Sequence, residues 1–176
     1  VSYCAVCDGA FYTGRDVAVV GGGDTALQDA LFLANSCRHV TLIHRRDRFR
    51  GEDRLVRRVV QRENITILYS HTVEALHQSG GELTAVTVRN VKTGETRQLA
   101  VDGLFAAVGQ LPQSAPFAAL VGTEGGYYQA GEDTLTGCAG VFAAGDGRAK
   151  SVRQLTTAVG DGAVAGLAAC QYVDAL

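Results

Sequence analysis

Val17-Ala18-Val19-Val20 runs without a polar break into Gly21-Gly22-Gly23-Asp24-Thr25-Ala26, and this segment constrains the fold more than any other. A short β-branched run with no alternation is the pattern of a strand buried on both faces of a parallel sheet. The glycines then demand a tight turn. The stretch Ala26 to Asn35 follows, with Leu27, Ala30, Leu31 and Ala34 on one face at helical spacing. His39-Val40-Thr41-Leu42-Ile43 reads as a second buried strand. Strand, glycine turn, helix and strand within about 30 residues make a βαβ unit, so the chain is expected to be α/β.

Gly21-x-Gly23-x-x-Ala26 within that unit has the form of a dinucleotide fingerprint. Gly21 permits the tight turn, Gly23 lets a pyrophosphate approach the backbone, and Ala26 allows close packing of helix on strand. Free N–H groups at the start of the helix, from Gly22 and Asp24 to Thr25, face the phosphates. A site for NAD carries an acid about 20 residues past the fingerprint, on the ribose 2′-hydroxyl. Here His44-Arg45-Arg46 stands in that place, with Arg50 further on. Guanidinium groups suit a 2′-phosphate through paired, charge-assisted hydrogen bonds, which points to NADPH rather than NADH.

Beyond this unit, Asp53 to Glu63 reads as a helix with Leu55, Val56, Val59 and Val60 as its apolar stripe. Ile65 to Leu76 reads as a strand passing into a bend. Leu83 to Val91 and Thr96 to Val101 alternate around Lys92-Thr93-Gly94-Glu95 as a β-hairpin. Leu104 to Val108 is a buried strand ended by Gly109. Pro112 and Pro116 then mark a boundary, so residues 1–109 and 110–176 are expected to form two domains. In the second, Val141 to Ala144 reads as a short strand closed by Gly145-Asp146-Gly147. Val152 to Leu176, rich in Ala and Gly, reads as a closely packed helix. Val1 to Asp16 reads as irregular.

Five cysteines are present, of which only Cys4 and Cys7 are close in sequence. The Cys4-x-x-Cys7 spacing can close a disulfide and exchange it with a partner. A zinc site would need a second pair of ligands at similar spacing, and none is present, so no metal is expected. Asp8 beside Cys7 can pass protons during exchange. Cys37, Cys138 and Cys170 read as structural, with Cys170 buried. The odd, sparse set points to a reducing, cytoplasmic setting. A net charge of -2 argues against a nucleic-acid binder, and no apolar run approaches the ~18 residues of a membrane span. The absence of Met suggests a piece of a longer polypeptide.

Taken in order, Cys4-Ala5-Val6-Cys7-Asp8-Gly9, the Gly21–Ala26 fingerprint, His44-Arg45-Arg46-Asp47-Arg48-Phe49-Arg50, Ala107-Val108-Gly109, Gly145-Asp146 and Arg153-Gln154 resemble the bacterial-type, low-molecular-weight thioredoxin reductases. The resemblance implies a doubly wound, Rossmann-like NADPH domain with an antiparallel hairpin region, plus the C-terminal part of an FAD domain. It implies that NADPH reduces FAD, FAD reduces the Cys4–Cys7 disulfide, and the dithiol reduces thioredoxin. Cys7 then matches the thiol facing the flavin, Cys4 the thiol attacking thioredoxin, and Asp8 the acid–base residue. Arg45, Arg46 and Arg50 match ligands of the 2′-phosphate. Gly145 and Asp146, with the stretch to Arg153, Gln154 and Leu155, match the C-terminal FAD segment. A homodimer is also implied.

This chain departs from the resemblance in carrying one glycine fingerprint where a second would hold the ADP half of FAD. Gln110 and Gln113 stand where His and Asn are common, and Leu155 where a smaller Ala is common. It is therefore expected to keep the NADPH site and the cysteines while binding FAD poorly. Two other readings share these residues: the reductase component of a peroxiredoxin system, and a non-catalytic NADPH-binding module.

Overall fold

A computed structural model describes all 176 residues. The chain divides into two compact units, Val1–Gly109 and Gln110–Leu176. The first opens on helix α1 (Ala5–Asp8) and a 3-10 turn over Gly9–Tyr12, where the sequence suggested irregular chain. The helix forms because Cys4 caps it: its sulfur accepts the Cys7 N–H. Strand β1 (Asp16–Gly21), helix α2 (Asp24–Leu33), strand β2 (His39–His44), helix α3 (Asp53–Val60) and strand β3 (Ile65–Tyr69) follow. Next come β4 (His71–Ser79), β5 (Glu82–Asn90), β6 (Thr96–Ala100) and β7 (Gly103–Ala107).

Strands β3, β2, β1 and β7 lie side by side in that order as one parallel sheet. Its unbroken apolar strands are explained by two cores. On one face Val17, Val19 and Leu42 pack against Leu27 and Leu33 of α2 and Leu55 and Val59 of α3. On the other, Ala18, Ile43 and Leu68 pack against Val86 and Val88. That second face is covered by the three-stranded antiparallel sheet β4-β5-β6 rather than by helices.

The stretch Ile65 to Leu76 is therefore two strands in two sheets. Ser70 makes the passage with a left-handed φ of 56°, unusual for a residue with a Cβ. Its N–H donates to the Arg46 carbonyl at 2.9 Å, and its own carbonyl accepts from Val91 N–H at 2.7 Å. Contacts from two other segments hold it there.

The second unit has a 3-10 turn at Ala115–Phe117, a two-residue hairpin of β8 (Thr123–Glu124) and β9 (Tyr127–Tyr128), a 3-10 turn at Gly145–Gly147, and helix α4 (Leu155–Asp174). Val141 to Ala144 is not a strand. It has no strand pairing beyond an isolated bridge between Leu135 and Phe142. Helix α4 begins at Leu155, where Gln154 and Thr157 form a reciprocal capping box. It is not closely packed: Asp161 is its only buried residue. Space around Gly160, Gly162 and Gly166 is open, and Cys170 is exposed. Alanine and glycine leave the helix with little apolar reach, and its larger side chains, Val159 and Leu167 among them, are exposed. Cys37 is buried and Cys138 half-buried.

A buried charge cluster holds this helix to its neighbouring turn instead. Asp161 accepts from the Gly145 N–H, from Nε and Nη2 of Arg148, and from Lys150 Nζ, each at 3.0 or 3.1 Å. The Arg148 hydrogen bonds, more than burial opposes them, hold its carboxyl well below the usual carboxylate range, with Lys150 adding to the effect. No helix is long and apolar enough to cross a membrane.

Candidate active site

The glycine turn between β1 and α2 is defined by close approach. A Cβ on Gly21 would fall 2.4 Å from the Ala107 carbonyl oxygen and 2.6 Å from Ala26 Cβ. One on Gly22 would strike the His44 ring at 2.1 Å. Neither position tolerates a side chain, because Ala107 of β7, Ala26 of α2 and the ring of His44 already occupy the space. At Gly23 the outcome differs: nothing lies within 4 Å of a Cβ built there. The turn thus leaves room in one direction, toward a ligand at the start of α2.

The segment after β2 is tied to this turn from both ends. Arg50 N–H donates to the Gly22 carbonyl at 2.8 Å. Asp24 Oδ1 accepts the Glu52 N–H at 2.7 Å. The carboxylate of Asp24 therefore fastens the arginine loop to the fingerprint instead of lying free for a ligand. His44 acts similarly. Its buried ring donates from Nε2 to the Arg48 carbonyl at 2.9 Å and packs on Phe49. Burial lowers its pKa, the hydrogen bonds to the Arg48 and Gly21 backbone oppose this in part, and the nearby positive Arg46 and Arg50 add to the lowering.

A cavity of about 410 Å³ opens between these elements. Gly21, Gly22, Gly23, Thr25, His44, Arg45, Arg50 and Gly109 line it. Ala26 lies buried beneath the turn, and Asp24 and Arg46 are exposed and not among the lining residues. Neither Arg45 nor Arg50 has a carboxylate partner. Two unpaired guanidinium groups beside a turn of free N–H groups fit an anionic nucleotide.

His71, Thr72 and Val73 also line the cavity, as do Ala107 and Val108. The first three are residues that sequence reasoning missed. They belong to β4, whose register with β5 shifts between Val73 and Ala75. A bulge of this kind re-aims neighbouring side chains. No local signal marks them, because only the antiparallel sheet brings β4 to the parallel one.

The cysteines occupy the same unit. Cys4 and Cys7 form a disulfide, with Cα atoms 5.2 Å apart. Cys7 is exposed and Cys4 half-buried. The Cys7 N–H pointing at the Cys4 sulfur, at 3.1 Å, would stabilise negative charge on that sulfur once the bond opens. Asp8 is half-buried, and its Oδ2 accepts from the hydroxyl of buried Ser2 at 2.6 Å. Ser2 is a second residue that sequence reasoning missed. No group of three or more His, Cys, Asp or Glu is placed to hold a metal.

The remaining predicted residues lie in the second unit. Gly145 takes a left-handed φ of 69° and Asp146 is mostly exposed. The Arg153 guanidinium sits 3.7 Å over the Tyr127 ring, while its Nε is buried without a hydrogen-bond partner. Gln154 caps α4 and Leu155 is 80% exposed. An orphaned Nε and an uncovered Leu155 fit the edge of a bound group. A complete flavin site does not follow from these residues, since no second glycine fingerprint supplies an ADP cradle.

A Rossmann-like sheet whose glycine turn faces an arginine-rimmed cavity, in one unit with a Cys-x-x-Cys disulfide, has the architecture of a pyridine-nucleotide-dependent disulfide oxidoreductase. Residues 1–162 match the sequence family described as pyridine nucleotide-disulphide oxidoreductase, and the chain belongs to that family. It is 42% identical over 177 residues to the thioredoxin reductase of Bacillus subtilis, covering 100% of this chain and 56% of that protein. The crystal structure of thioredoxin reductase from Streptococcus pyogenes matches with a TM-score of 0.94 at 38% identity, over 99% of this chain and 57% of that one. The thioredoxin reductase of Giardia duodenalis matches at 0.87 and 35% identity, over 98% of this chain and 57% of that one. The chain thus spans little more than half the length of the relatives it matches.

Proposed function

We propose that this chain carries the nucleotide-binding and disulfide-bearing part of an NADPH-dependent flavoprotein disulfide reductase, which passes electrons from NADPH through FAD to Cys4–Cys7 and on to thioredoxin. The observation that carries the reading is the pairing, within one unit, of an exchangeable disulfide with a glycine-turn cavity whose two arginines lack carboxylate partners. Residues 1–109 are the NADPH domain in this reading, and 110–176 are a segment of the FAD domain. The same reading makes the assembly a homodimer and the compartment the cytoplasm.

Gly22, Gly23 and Thr25 would hold the pyrophosphate, and Arg45, Arg50 and the exposed Arg46 the 2′-phosphate. Gly145, Asp146, Arg153, Gln154 and Leu155 would border the flavin, which supplies a relay between two-electron hydride chemistry and the disulfide. On the protein side, Cys4 takes the exchanging role, supported by the Cys7 N–H at its sulfur. Cys7 takes the role facing the flavin. Asp8 carries protons to and from the leaving sulfur.

The test uses the full-length protein with Cys4→Ser. Reduction of thioredoxin should be abolished while reduction of the flavin by NADPH continues. Equal loss of both would overturn the assigned roles. A binding preference for NADH over NADPH would overturn the reading of the arginines.

A further inference from the structure

Ser2 precedes the Cys-x-x-Cys segment and carries no chemistry that its sequence position would reveal. In the fold it is anchored as though it were part of the sheet. Its N–H donates to the Leu104 carbonyl and its carbonyl accepts from Ala106 N–H, both at 2.8 Å, in a parallel bridge opposite Phe105. The residue is 6% exposed. Its backbone is therefore fixed to the sheet by bonds that do not involve the sulfur atoms.

That hydroxyl joins both ends of the disulfide loop. Ser2 Oγ donates to Asp8 Oδ2 at 2.6 Å and accepts the Cys4 N–H at 3.0 Å. The Cys4 carbonyl lies further away, at 3.3 Å. A hydroxyl has one proton to give, and the shorter contact to a carboxylate claims it. Neither bond runs through the Cys4–Cys7 linkage, so both can persist when that linkage opens.

We infer that Ser2 is the positioning residue of the disulfide site: it holds the Asp8 carboxylate fixed beside the Cys-x-x-Cys segment through both redox states. The inference rests on Asp8 being the proton carrier of the proposed function. In exchange with an external dithiol, an attacking thiolate bonds one cysteine sulfur as the Cys4–Cys7 bond breaks. The second thiolate then closes the reductant into a cyclic disulfide and frees the remaining cysteine. Two electrons pass to the protein, and the two protons lost by the dithiol are taken up by the two cysteine sulfurs, one by way of Asp8. Ser2 touches none of the reacting atoms and acts through Asp8.

The test is reduction of Cys4–Cys7 in the full-length protein by dithiothreitol, with no nicotinamide present, followed by quenching with a maleimide and weighing the product. Ser2→Thr keeps the hydroxyl and Ser2→Val removes it at the same shape, so any cost of branching in this buried place cancels between them. Ser2→Val should react about tenfold more slowly than Ser2→Thr, the worth of one hydrogen bond to a charged group. Ser2→Thr should keep the natural rate. In an Asp8→Asn background the difference between the two should vanish, which a merely structural role would not produce. Equal rates for the Thr and Val variants, with Asp8→Asn still slow, would overturn the role of Ser2 alone. An unimpaired Asp8→Asn protein would overturn the role of Asp8, and that of Ser2 with it.

Discussion

The two units hold themselves together by different physics. In the first, unbroken apolar strands are buried on both faces, and Phe105, Leu27, Leu42 and Ile43 are almost wholly withdrawn from water. In the second, Val121 and Ala143 are the only buried apolar residues, and the main fixed point is a carboxylate shared by an arginine and a lysine. Non-directional apolar burial tolerates sequence change but not loss of volume. A buried ion cluster is sensitive to the loss of a single charge and to acid.

The largest break in this contrast should come from Phe105→Ala. Phe105 lies in the core beneath α2, edge-on to Tyr12, and its removal should cost about 4 kcal/mol. Thermal unfolding should show this loss as similar at pH 7 and pH 4, since no charge is touched. Asp161→Asn should cost about 3 kcal/mol by leaving Arg148 and Lys150 without their shared anion. Here the pH dependence is diagnostic. Because Asp161 ionises well below its ordinary range in the folded chain, its stabilisation is complete above about pH 4 and is lost as pH falls below that. The natural chain should therefore lose stability in its second unit as acid is added, and the variant should show far less of this slope. A variant with the slope unchanged would place the acid sensitivity elsewhere.

A smaller effect sharpens the comparison inside the first unit. Gly21→Ala should destabilise by about 2 kcal/mol, since its methyl would be driven into the Ala107 carbonyl and the Ala26 side chain. Gly23→Ala meets no atom within 4 Å and should leave the unfolding temperature nearly unchanged. Titration with NADPH should nevertheless show binding weakened about tenfold or more, because in the proposed function the pyrophosphate crosses the turn where the added methyl would stand. Unweakened binding by Gly23→Ala would show that the nucleotide does not cross the turn there.

The legible parts of the site were those whose chemistry is written in consecutive residues. Gly21 and Ala26 reveal a close packing that the fold realises, and Cys4 and Cys7 at one helical turn are found joined. Asp24 and His44 belong to the same local motif, yet the fold uses them to clamp the loop through Glu52 and Arg48. His71 to Val73 and Ser2 were not legible at all. Their places depend on β4 leaving one sheet for another and on Ser2 bridging to Phe105. The tail shows the opposite failure: a stretch rich in Ala and Gly suggested close packing, and α4 is largely exposed.

From its sequence alone, then, this chain determines a βαβ unit, a glycine turn, an arginine loop and a cysteine pair, because periodicity, turn chemistry and short-range spacing act within a few residues of one another. Tertiary structure alone decides which side chains line the cavity at the glycine turn, what holds Asp8, and what anchors α4. Those are contacts between segments far apart in the chain, and they exist only once strand order and register have brought the segments together.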